Sequence, residues 1–158
     1  YNDDLSHQDT YGNLYNWYAV DDERGICAEG FHIPSDDEYK VLEIYLGMSQ
    51  EEADIAGWRG TNQSSKLAGN ADLWEDGRLK HDHDSEFGAS GFNVLPSGWR
   101  SGYDGSYDKM GKTGFFWSST ESTGTAPWHR DIDYYVSTLG RLSNYDKQYG
   151  FSVRCIKN

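Results

Sequence analysis

Between Trp128 and Cys155 the chain reads WHRDIDYYVSTLGRLSNYDKQYGFSVRC. His129, Asp131, Asp133 and Tyr135 alternate there with Trp128, Arg130, Ile132, Tyr134 and Val136. In a strand, period two sends these two sets to opposite faces. The second set can then pack or line a rim while the first meets solvent or ligand. Thr138 and the polar loop carrying Asn144, Tyr145 and Asp146 extend the same display, with Trp128 at its edge. Such side chains recognise rather than react. Aromatic faces stack on sugars or on protein surfaces, and carboxylates and amides bond hydroxyls. Arg130 and Arg141 are expected to frame the patch through carboxylate or backbone contacts. The alternative is an ordinary edge strand with a solvated face, which composition alone does not separate from a display.

The densest ligand-like cluster is HDHDSEFG, with His81, Asp82, His83, Asp84 and Glu86. Asp82, Asp84 and Glu86 supply hard oxygens that could hold Ca²⁺, and the imidazoles suit a transition metal. The segment lacks the length and order of an EF-hand, and a solvated acidic loop is the commoner outcome, so no cofactor is expected. The cysteines are Cys27 and Cys155, with no CxxC motif and no zinc-type Cys/His spacing. A bridge between them would close nearly the whole chain into one loop, and it would imply an oxidising compartment. Two buried free thiols are the alternative.

Charge narrows the partners. The 158 residues carry 14 Lys and Arg against 26 Asp and Glu, a net −12, and that field repels nucleic acid. There is no apolar run near 18 residues, so direct membrane insertion is not expected. The abrupt opening YNDDLSHQDTYGN reads as a trimmed mature domain. Mean hydropathy is −0.84, while aromatic residues reach 15% and glycines number 18. The length suits a single domain, residues 1–158, held by Trp and Tyr rather than by aliphatic helices.

The elements that must position these residues follow a helix-then-strand order. YGNLYNWYAV reads as a first strand. Ser35 with Glu38 forms a capping box for a helix whose face would be Tyr39, Leu42, Tyr45 and Leu46, stopped by Gly47. Ser49 with Glu52 starts a second, shorter helix. From about Gly60 to Ser90 the periodicity fails, leaving a long loop anchored by Leu67, Leu73, Trp74 and Phe87. GFNVLPSGWR, TGFFWSSTES, HRDIDYYVS, GRLSN and GFSVRCIK then read as short strands, with Trp99 and Trp117 in the core. Helices early and strands late make the fold α+β.

Taken together, YGNLYNWYAV, GICAEGFHIPSDDEY, SSKLAG, SGFNVLPSGWR, GFFWSSTES and GFSVRCIK resemble the Fibrobacter succinogenes major paralogous domain family over nearly the whole chain. That family is found in surface and secreted proteins of Bacteroidetes and their relatives. The resemblance implies a C-type-lectin-like fold related to the formylglycine-generating enzymes, with two helices flanking a small twisted antiparallel sheet and long ordered loops. It implies pairing of the N- and C-terminal strands, which would bring Cys27 and Cys155 together. Some members resemble targets of diversity-generating retroelements, which leave Asn, Tyr, Ser, Asp and His over a binding face near the C-terminus.

The enzyme relatives fit poorly. Formylglycine-type chemistry needs two reactive cysteines near the C-terminal part, and only Cys155 lies there. A three-histidine iron site needs a spacing that His7, His32, His81, His83 and His129 do not show. The Glu-Pro-Asn-like loop of calcium-dependent lectins is absent too. The expectation is a non-enzymatic, secreted or cell-surface, adhesin-like domain whose partner is a protein or glycan on another surface. The alternative is a carbohydrate-binding accessory module of a polysaccharide-degrading system.

Overall fold

A computed structural model describes residues 3–122 and 125–158. Six α-helices lie among them: α1 Gln8–Tyr11, α2 Trp17–Val20, α3 Asp36–Tyr45, α4 Gln50–Asp54, α5 Gln63–Leu67 and α6 Arg78–His81. The strands are β1 Phe31–His32, β2 Gly57–Arg59, β3 Ser97–Arg100, β4 Tyr107–Met110, β5 Thr113–Glu121, β6 Pro127–Asp133, β7 Leu139–Leu142 and β8 Ile156–Lys157. The fold is mixed α+β, with one sheet ordered β2-β7-β6-β5-β3-β4 and a small sheet of β1 and β8. The main sheet is not wholly antiparallel, because β3 runs parallel to β5. It also carries more helices than the expected pair.

Both capping boxes are present. Ser35 Oγ accepts from the Glu38 amide at 3.2 Å, and Glu38 Oε2 accepts from the Ser35 amide at 2.8 Å. Ser49 and Glu52 repeat this at the start of α4. Gly47, at φ +105°, ends α3 in the left-handed region. The buried face of α3 differs from the expected one. Asp36, Tyr39 and Glu43 are buried, with Leu46 just beyond, while Tyr45 is 84% exposed. Two carboxylates one heptad apart replace apolar residues on the packed side, a substitution that hydrophobic periodicity alone cannot register.

The first expected strand is absent. Asn16 accepts from the Ala19 amide and caps the one-turn helix α2, leaving a single bridge from Tyr15 to Phe151. That bridge and the β1–β8 pair join the two ends of the chain, as expected. Cys27 and Cys155 are bonded, with Cα atoms 5.8 Å apart. The stretch from Gly60 to Ser90 is built from short helical turns rather than open loop. Leu67 and Trp74 are buried there, and Leu73 and Phe87 are partly so.

Period two divides the core. On β5, Phe116 enters a cluster with Tyr39, Leu46, Leu67, Trp74, Leu79, Val94, Ile132 and Leu139. Phe115 and Trp117 enter the other, with Trp17 and Phe151. The sheet lies between an α3 side and an opposite, aromatic side. The functional question turns on that aromatic side.

Candidate recognition surface

Strand β6 sits in the interior of the sheet, hydrogen-bonded to β5 and β7. It is not an edge strand, and this decides the fate of its alternating side chains. Arg130 and Ile132 face α3, while His129 and Asp131 face the aromatic side. Both faces are covered.

On the α3 side, the cross-strand partners Arg130 and Arg141 converge with Arg59 of β2 on the two buried carboxylates of α3. Arg130 donates to Glu43 at 2.5 Å and to Asp36 at 2.8 Å. Arg141 donates to Asp36 at 2.7 Å, and Arg59 to Glu43 at 2.5 Å. Burial alone would raise the Asp36 pKa, but the bonds and charges of Arg141 and Arg130 outweigh it and hold the carboxyl below its usual range. The two arginines therefore make carboxylate contacts, as expected, yet beneath the helix rather than around a surface patch. Trp128 belongs to this side too. Its half-buried ring lies 3.7 Å from the Arg141 guanidinium carbon.

On the aromatic side, the expected exposure of His129 and Asp131 is overturned. They are 0% and 5% exposed. Neither ring nitrogen of His129 is hydrogen-bonded, and the ring is enclosed by Trp117, Phe151 and Tyr145 at 5.4–5.6 Å. His129 Nε2 lies 3.4 Å from Asp131 Oδ1. Burial pushes the imidazole down to about 3 and the Asp131 carboxyl up to about 8, with Asp133 adding to the latter. Both side chains are therefore neutral near pH 7.

Asp133 is half-buried, accepting from the Thr113 hydroxyl and from the Tyr135 amide at 2.9 Å each. Tyr135 lies past the strand end and is 63% exposed. Thr138 is half-buried, and its carbonyl accepts from Ser64. Asn144 and Asp146 are exposed. Tyr145 folds back over the sheet, its ring 5.5 Å from His129 and 5.9 Å from Phe115. The structure therefore gathers His129, Asp131 and Tyr145 in one stack, but as layers and not as a single open face.

Rings that the alternation did not single out complete the outer layer. Tyr149 contacts Tyr145 at 4.8 Å, Trp99 at 5.5 Å and Tyr103 at 5.7 Å. Trp99 is half-buried at this rim, unlike Trp117, which is fully buried. Tyr103 is 75% exposed and donates to Asp146 at 2.5 Å. The available signal was the density of aromatics between glycines in SGWRSGY and KQYGF.

The acidic cluster does not converge. Asp82 is engaged by Arg78, and Glu86 by Asn62 and Lys66. Among the described residues no three His, Cys, Asp or Glu side chains are placed to hold a metal ion.

Neither the curated proteins nor the solved structures contain a match to this chain. The paired ends, the early capped helix and the late strands nevertheless follow the order of the motifs quoted above. The family model of the Fibrobacter succinogenes major domain matches residues 1–157, and the chain belongs to that family.

Proposed function

We propose that this is a non-catalytic ligand-recognition domain, with a C-type-lectin-like fold, displayed outside the cell or on its surface. The observation that carries it is the surface stack of Trp99, Tyr103, Tyr145 and Tyr149, with the Asp146 carboxylate on Tyr103. Tyr and Trp offer large contact area at low entropic cost, and rings in mutual contact are already ordered before a ligand arrives. The disulfide supports an oxidising compartment, and it leaves neither cysteine free for thiolate chemistry. The buried His129–Asp131 pair belongs to the layer that supports the stack.

If the 3′ part of the coding sequence is diversified, Tyr135, Asn144 and Asp146 are the positions that accept change without disturbing packing. His129 and Asp131 are not. A carbohydrate-binding accessory role is the second reading, favoured by stacked rings with the Asp146 carboxylate beside them, a combination that suits sugar rings and their hydroxyls.

The test is capture of the purified chain on arrays of glycans and of extracellular proteins, compared with a Tyr103→Ala/Tyr149→Ala variant. Capture that is lost in the variant, with an unchanged melting temperature, supports the stack as the binding face. Undiminished capture by the variant rules it out, and the class of the captured array spot decides between the two readings.

A further inference from the structure

A cleft of about 410 Å³ opens between residues 10–15 on one side and residues 93–97 and 152–155 on the other. It meets a second cleft of about 570 Å³, and Gly12, Asn13 and Tyr15 line both. Each volume falls within the range of about 300–1,000 Å³ typical of ligand sites. None of the four rings of the aromatic stack lines either cleft.

The lining carries unspent hydrogen-bonding capacity. Ser97 and Ser152 are 4% and 7% exposed, and their hydroxyl oxygens are 2.9 Å apart. One O–H donates to the other hydroxyl, and the second O–H has no acceptor among the described residues. A buried donor left in this way costs free energy until something accepts from it. The amide of Asn13 and the phenols of Tyr11 and Tyr15 also make no hydrogen bond among the described residues. Hydroxyls, amides and phenols beside the apolar side chains of Leu95 and Val153 match a ligand that alternates C–H faces with hydroxyl groups.

Arg154 fixes the charge of that ligand. It is the one charged side chain among the described residues of the smaller cleft. Its Nη2 donates to the carbonyls of Phe92 and Asn93, and its Nε is buried with no partner. In a chain of net charge −12, an arginine in a cleft without carboxylates is a local seat for an anion. The larger cleft is lined by Asp3 and Asp4 as well as Arg100, so it offers no comparable seat for an anion.

We propose that the smaller cleft binds an acidic oligosaccharide, with a uronate carboxylate on Arg154 and sugar hydroxyls on Ser97, Ser152 and Asn13. This site is separate from the aromatic stack and stands or falls without it.

The experiment is calorimetric titration of the intact chain with tetragalacturonate, with cellotetraose and with hexaglutamate. Tetragalacturonate is expected to bind about tenfold more tightly than cellotetraose, a difference set by one charge-assisted contact. Arg154→Met should abolish that preference and Arg154→Lys should keep part of it. Because Arg154 also holds two carbonyls, Asn13→Ala serves as a second variant; Asn13 is exposed and unbonded, so the chain should fold and bind severalfold more weakly. Tyr103→Ala/Tyr149→Ala should leave the titration unchanged, which separates this site from the aromatic face. No heat with tetragalacturonate at millimolar concentration overturns the proposal, as does equal binding by Arg154→Met and Asn13→Ala. Tighter binding of hexaglutamate overturns it in favour of an acidic peptide.

Discussion

Arg130 and Arg141 face each other across β6 and β7, and both guanidinium groups close on the single carboxylate of Asp36. Such an arrangement holds a helix to a sheet only while every member is present. Removing one partner leaves buried charge without compensation, at about 3–5 kcal/mol.

Asp36→Ala should therefore lower unfolding free energy by about 3–5 kcal/mol, measured by urea titration at pH 7. The Asp36 pKa is lower in the folded chain than its ordinary 3.8. Its contribution is thus present above about pH 4 and disappears as pH falls through the folded value. A loss under 1 kcal/mol would show that the network is energetically idle.

The neutral pair behind the aromatic stack gives the opposite pH dependence. Asp131 keeps its proton up to about pH 8 when folded and releases it near 3.8 when unfolded, so its cost to stability grows between those values. His129 takes up a proton near 6.5 when unfolded and near 3 when folded, so its cost grows as pH falls through that window. Asp131→Asn should then be more stable than the parent by about 2–4 kcal/mol near pH 7, with the gap closing toward pH 4. Parallel stability profiles for the two proteins between pH 4 and 8 would refute the assignment.

The bridge encloses a sequence separation of 128 residues. Loop entropy alone puts its contribution at about 5 kcal/mol. Cys27→Ala/Cys155→Ala should fold at 25 °C with a markedly lower melting temperature, followed by circular dichroism. An unchanged melt would mean that the unfolded chain gains no freedom when the bond is absent.

Gly98, at φ +66°, admits no side chain. A Cβ there would lie 2.2 Å from the Asp108 carbonyl oxygen and 2.7 Å from the Met110 amide nitrogen. Gly98→Ala should cost about 3 kcal/mol or more, through the backbone conformation and the forced separation of β3 and β4. Wild-type stability in this variant would show that β4 is free to shift.

Chelation should leave the melt alone. Asp82 and Glu86 already hold Arg78 and Lys66, so excess EDTA or Ca²⁺ is expected to move the melting temperature by less than about 1 °C. A rise with Ca²⁺ would reveal a bound ion through mass action.

What the sequence made legible was local chemistry. The capping boxes at Ser35 and Ser49, the stop at Gly47 and the bridge to Cys155 rest on neighbouring residues or on cysteine count, and all are present. The candidate site was half legible for a physical reason. Period two correctly separates His129 and Asp131 from Arg130 and Ile132, but it cannot say which face meets water when β6 lies between two other strands. Nor can it register that Asp36 and Glu43 pack inward, because their burial depends on arginines brought in from 16 to 105 residues away. The outer rings Trp99, Tyr103 and Tyr149 come together only through the fold. The aromatic density in SGWRSGY and KQYGF is local, but the contacts of Tyr149 with Trp99 and Tyr103 are not.

The Cys27–Cys155 bridge also sets how the domain responds to tension. A pull applied to the two ends of the chain travels from residue 27 through sulfur to residue 155 and bypasses the main sheet, the helix network and the aromatic stack. Only the 26 residues before Cys27 and the three after Cys155 can be drawn out, about 100 Å at full extension against roughly 550 Å for the unbridged chain. The aromatic stack is thereby held under load while the clefts lined by residues 3–15 come apart, and a reducing agent removes that protection in one step.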